Sequence, residues 1–129
     1  KQKTAYEIKE CDWSSDVCSS DLHVDEKRAA AGPYGAPIAH GFLTLSLLPR
    51  FFESSFSVAQ TRMGVNYGLN KVRFTAPVPV GSRLRGHMAL LACEDIEPTG
   101  IQMTWKVTIE REGSDKPVCV AESVVRHYA

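Results

Sequence analysis

The chain has 129 residues, 43% apolar and 23% charged, and its 15 basic and 15 acidic side chains cancel. That describes one soluble domain with a modest core. With no net field to recruit a polyanion, neither nucleic acid nor an anionic membrane is an expected partner.

The N-terminus carries lysines and no apolar signal region, so secretion is not indicated. From Asp12 to Leu22 the chain reads DWSSDVCSSDL, with apolar residues at no consistent helical or strand period. A short helix is expected from Asp25 to Ala31, with Asp25 suited to its N-terminal cap and Gly32-Pro33 as its stop. His40 to Glu53 is apolar on nearly every side, through Phe42, Leu43, Leu45, Leu47, Leu48, Phe51 and Phe52. This predicts a helix buried all round, which needs a sheet to wrap it, with Pro49 either kinking it or beginning a second short turn. The run is too short to span a bilayer, so membrane insertion is not expected.

The second half reads as sheet. A strand from Val65 to Phe74 ends at Thr75-Ala76-Pro77-Val78-Pro79-Val80-Gly81, because proline cannot donate to a ladder. Arg83 to Glu94 follows. Ile101, Met103, Trp105, Val107 and Ile109 then alternate with polar residues, the period of a strand with one buried face. Turn residues flank it at Pro98-Thr99-Gly100 and Gly113-Ser114-Asp115, and Val118 to His127 supplies the next strand. Short turns between consecutive strands predict an antiparallel meander. One long apolar helix followed by such a sheet argues for α+β.

Cys11, Cys18, Cys93 and Cys119 form no Cys-x-x-Cys pair and have no histidine at zinc-ligand spacing, so no metal site and a reduced, cytoplasmic protein are expected. Cys93 and Cys119 read as small buried residues within strands. His87 and His127 read as partly exposed surface residues.

HVDEKRAAAGPYGAPIAHGFLTLSLLPRF, from His23 to Phe51, resembles the active-site motif of the MaoC-like, (R)-specific enoyl-CoA hydratase family. VNYGLNKVRFTAPVPVGSRLRG, from Val65 to Gly86, and KPVCVAESVVRHYA, from Lys116 to Ala129, resemble the corresponding parts of its NodN-like branch. The resemblance implies a hot-dog fold, an antiparallel curved sheet around a central helix. It places a MaoC-like domain at 23–129 and leaves 1–22 as an aberrant or truncated segment. The family also carries an additional N-terminal strand that no pattern here marks.

The implied reaction is reversible addition of water to a trans-2-enoyl-CoA, giving an (R)-3-hydroxyacyl-CoA. It needs two proton-transfer groups, in the family an Asp and a His at Asp-x-x-x-x-His spacing. His23 takes the histidine position, followed by Val24 and Asp25 as the motif expects. The family's oxyanion donor, a backbone N–H at the start of the central helix, maps to Gly41. His40 reads either as a substrate-pocket residue or as a structural cap. Tyr67, Asn70 and Arg73 read as possible substrate contacts, with sheet packing and exposure as the simpler account.

Cys18 stands where the catalytic aspartate belongs, and a thiol that is mostly neutral at pH 7 does not replace a carboxylate. Asp21 is the better substitute nearby, at the wrong offset. The string DWSSDVCSSDL also resembles one translated frame of a common sequencing-library adapter, implying a foreign segment in place of the native one. A divergent native loop is the alternative. The literal chain is therefore expected to be an impaired hydratase or dehydratase. A non-catalytic acyl-thioester-binding or dimerisation module and a hot-dog thioesterase are the alternatives. The resemblance further implies an acyl-CoA substrate, no cofactor and a homodimer.

Overall fold

The computed structural model describes residues 4–7, 23 and 25–129. Its elements are β1 (Thr4–Glu7), α1 (Glu26–Ala30), α2 (Gly41–Leu45), α3 (Leu48–Ser55), β2 (Met63–Phe74), β3 (Arg83–Ile96), β4 (Gly100–Arg111) and β5 (Pro117–Tyr128). All strand pairings are antiparallel, in the order β1-β3-β4-β5-β2. The expected meander is β3-β4-β5, and β2 returns to the far side of β5. An N-terminal strand unmarked by the sequence pattern, β1, pairs with β3 from Thr4 opposite Gly86 to Glu7 opposite Arg83. The segment Asp12 to Leu22, with Cys11, Cys18 and Asp21, lies outside the described residues.

Register carries the buried pattern across the sheet. Met88 stands opposite Val107, Val107 opposite Ala121 and Ala121 opposite Val72; the next row holds Gly86, Ile109, Cys119 and Phe74. Leu48 and Phe51 of α3 complete the core against these rows, joined by Leu84, Val78 and Val118. Gly86 makes room for them: a Cβ there would lie 3.0 Å from the Phe51 ring.

Two expectations need correction. The stretch His40 to Glu53 is not one helix buried all round. It breaks at Ser46-Leu47; Pro49 opens a second helical segment, one of the two expected outcomes, and sits in the first turn of α3, where its missing N–H costs no helical bond. These helices lie on one sheet, so only the face bearing Thr44, Leu48 and Phe51 is buried in the single chain, and Phe42 is 77% exposed. Cys119 is buried as expected, but Cys93 is exposed. A register irregularity between Leu90 and Ala92 interrupts the alternation of β3, and Leu90, Leu91 and Cys93 are exposed.

Candidate active site

Two chain segments meet where α2 begins. The N–H of Ala39 donates to the Val78 carbonyl at 2.7 Å, that of Val80 donates to the Pro37 carbonyl at 2.9 Å, and Ile38 bridges Pro79. The proline-rich turn cannot continue a strand, but it fixes the approach of Pro37–His40 to α2. On the other side, Asp25 caps α1 as expected, accepting from the Arg28 N–H at 3.0 Å, and Ala29 anchors that helix in the interior.

His23 Nδ1 lies 2.7 Å from the Ile38 carbonyl oxygen. A carbonyl only accepts, so Nδ1 carries the proton, and in the neutral ring Nε2 keeps a free lone pair. The His40 ring stacks on His23 with centroids 3.9 Å apart and planes 27° from parallel. His40 occupies the N-cap position of α2 yet makes no side-chain cap bond. Its Nε2 is buried without a partner among the described residues. Burial first, and the His23 charge second, hold its pKa below the ordinary histidine value.

A cavity of about 320 Å³ opens beside these rings, lined in part by His23, Tyr34, Gly41, Thr44 and Phe74. Gly41 is the first residue of α2, where the N–H groups lie outside the helical ladder and the helix end is positive. A Cβ on Gly41 would come within 2.8 Å of the Phe74 ring, so only glycine leaves this approach open. Phe74 is itself partly exposed and meets Phe42 edge-on. A larger hollow of about 470 Å³ at Arg83–Arg85 and Glu110–Ser114 lies elsewhere. Its charges pair with one another, Arg85 with Glu110 at 2.9 Å and Arg83 with Glu112 at 3.5 Å, and no catalytic candidate lines it.

The structure thus brings His23 and Gly41 to one cavity and sets His40 against His23. Tyr67, Asn70 and Arg73 lie exposed on β2, away from that cavity, with Asn70 bonded to Glu122 and Arg126 over the Tyr67 ring. His87 and His127 are partly buried, and His87 bonds Glu110 at 2.7 Å. Among the described residues no cluster of three or more His, Cys, Asp or Glu could hold a metal, and no helix is long and apolar enough to cross a membrane. Sequence reasoning passed over Thr44 and Phe74. A threonine among leucines, one helical turn beyond Gly41, was the available signal for the first; nothing local marks the second.

The sequence profile described as "MaoC like domain" matches residues 19–112. The "3-hydroxyacyl-thioester dehydratase Z" of Mycobacterium tuberculosis (strain ATCC 25618 / H37Rv) is 56% identical over 108 residues, 84% of this chain and 72% of that protein. "Nodulation protein N" of Rhizobium leguminosarum bv. viciae is 43% identical over 102 residues, 78% of this chain and 63% of the relative. The solved (R)-hydratase from A. caviae, described as involved in PHA biosynthesis, superposes with a TM-score of 0.76 at 20% identity. The superposition covers 96% of this chain and 91% of the hydratase. That likeness shows the hot-dog fold.

Proposed function

The chain belongs to the MaoC-like domain family, and on that premise we propose that it is a hydro-lyase interconverting trans-2-enoyl-CoA and (R)-3-hydroxyacyl-CoA. The observation that carries the proposal is the shared cavity of His23 and Gly41, with the His23 ring held by the Ile38 carbonyl so that Nε2 is the basic nitrogen. In hydration, His23 Nε2 takes a proton from water as the oxygen attacks the β-carbon. The electrons move onto the thioester oxygen, and the Gly41 N–H at the positive end of α2 stabilises the enolate. An acid then delivers a proton to the α-carbon. Proton transfer needs no cofactor, and the MaoC-like domain is assigned to 23–129, with the acid position just upstream of it.

The acid is the weak point. Cys18 occupies the aspartate position, with Asp21 as a poor substitute, so turnover by the literal chain is strongly impaired. This observation favours one second reading, a module that binds acyl thioesters without converting them. The homodimer is part of the proposal, supported by the exposed apolar side chains Met63, Tyr67, Leu69 and Phe74 on the edge strand β2 and by exposed Phe42, which meets Phe74.

Crotonyl-CoA hydration, followed by loss of enoyl absorbance, tests the reading. Residual turnover is expected to fall about 100-fold or more in His23→Ala with thioester binding retained. Turnover indifferent to that change defeats the assignment of His23. Release of free thiol, caught by a thiol reagent, would instead indicate thioester hydrolysis.

A further inference from the structure

Short hydroxyl side chains on and between α2 and α3 bond back onto their own helices. Ser46 Oγ donates to the Leu43 carbonyl at 2.6 Å, Ser54 Oγ to that of Arg50 at 2.8 Å, and Ser55 Oγ to that of Phe51 at 2.5 Å. Thr44 departs from this pattern. It is 1% exposed, and its Oγ1 is buried with no hydrogen-bond partner among the described residues. Its own N–H donates to the His40 carbonyl at 3.2 Å, so the helical ladder is intact and only the hydroxyl is left over. Burying a hydroxyl without a partner is unfavourable, and folded proteins leave few such groups unless water or a ligand completes them. Valine has the same shape without that cost, so packing alone does not call for threonine here.

Position narrows the ligand. Thr44 stands three residues beyond Gly41, so both lie on one side of α2, and both line the cavity that holds His23. Helical side chains lean back toward the N-terminus, which carries the threonine side chain toward the turn with the spare N–H groups.

We propose that Thr44 is a further catalytic residue, whose hydroxyl donates a second hydrogen bond to the thioester oxygen engaged by the Gly41 N–H. The inference rests on the hydration and dehydration reading. During dehydration the α-proton passes to the conjugate base of the acid that delivers it in hydration, and the C–H electron pair moves onto the thioester oxygen as the enolate. The pair returns as the Cβ–O bond breaks and the hydroxyl departs as water with a proton from His23. Thr44 keeps its own proton throughout and shares the oxygen's charge with Gly41, which places the role among preorganised oxyanion donors.

The test uses the full chain and butyryl-CoA labelled with 13C at the thioester carbonyl, a saturated ligand that cannot be hydrated even by an active chain. Isotope-edited infrared difference spectra report hydrogen bonding at that carbonyl directly. Bound to the unsubstituted chain and to Thr44→Ser, the carbonyl stretch moves to lower wavenumber. In Thr44→Val about half of that shift is lost and Kd rises about 3- to 10-fold, with Tm not lowered because no protein partner is removed. An unchanged shift and affinity in Thr44→Val overturns the role of Thr44 and leaves the thioester site standing. A Thr44→Val chain that melts lower or fails to fold assigns the hydroxyl to the fold and overturns the role as well. No butyryl-CoA binding by the unsubstituted chain removes the thioester reading and this inference together.

Discussion

At His40, burial and a neighbouring ring act on titration in the same direction. Its pKa is held below 6.5, first by desolvation and then by the adjacent His23. In the unfolded chain the same ring protonates near its ordinary value, so as pH falls through about 6.5 the unfolded state binds more protons than the native state. Stability is therefore fully present above that pH and declines below it, until the folded-state pKa is passed. Thermal melts between about pH 7.5 and about pH 5.5 should show a smaller loss of Tm for His40→Phe, which keeps a stacked ring without the charge. Parallel curves for the two proteins would remove His40 from the acid response. The cysteines make a second residue-scale prediction. Burial pushes the Cys119 thiol up to about 11, whereas Cys93 is exposed. Iodoacetamide should label Cys93 in the native protein and Cys119 only after denaturant is added. Equal native labelling would contradict the burial of β5.

At the level of elements, the contact of α3 with β3 depends on one small residue facing one large one. Phe51 is fully buried, and a Cβ on Gly86 would press its ring from 3.0 Å. Gly86→Ala should cost about 1–3 kcal/mol in urea denaturation, with part recovered by adding Phe51→Leu. Strict additivity of the two changes would deny the contact. The strands themselves were legible because alternation survives wherever a strand is covered on one side: Val107 and Ile109 are buried as their spacing predicts. Legibility failed at Leu90, Leu91 and Cys93, which are exposed beside an irregular register that cannot be read from composition. It failed again for His40 to Glu53, whose apolarity on all sides suggested burial on all sides. In the single chain, Phe42 faces outward instead. The family motif marked His23 and Gly41, but the Ile38 carbonyl that selects the His23 tautomer is fifteen residues away and depends on the fold.

For the whole molecule, the exposed apolar residues of β2 and Phe42 define the face expected to pair two chains. Light scattering should give a dimer mass, and Leu69→Glu should shift it toward monomer by placing like charges near one another across the two-fold. A monomeric parent chain would contradict the homodimer. On the proposed reading the fold and His23, one half of the catalytic pair, are intact, whereas Cys18 stands where the upstream aspartate belongs. The most direct test replaces Val17 with glycine and Cys18 with aspartate, restoring Gly-Asp-x-x-x-x-His, and compares crotonyl-CoA hydration with that of the literal chain. Turnover should rise about 100-fold or more and be abolished again by His23→Ala. A repaired chain that folds, binds crotonyl-CoA and remains inert would contradict the account.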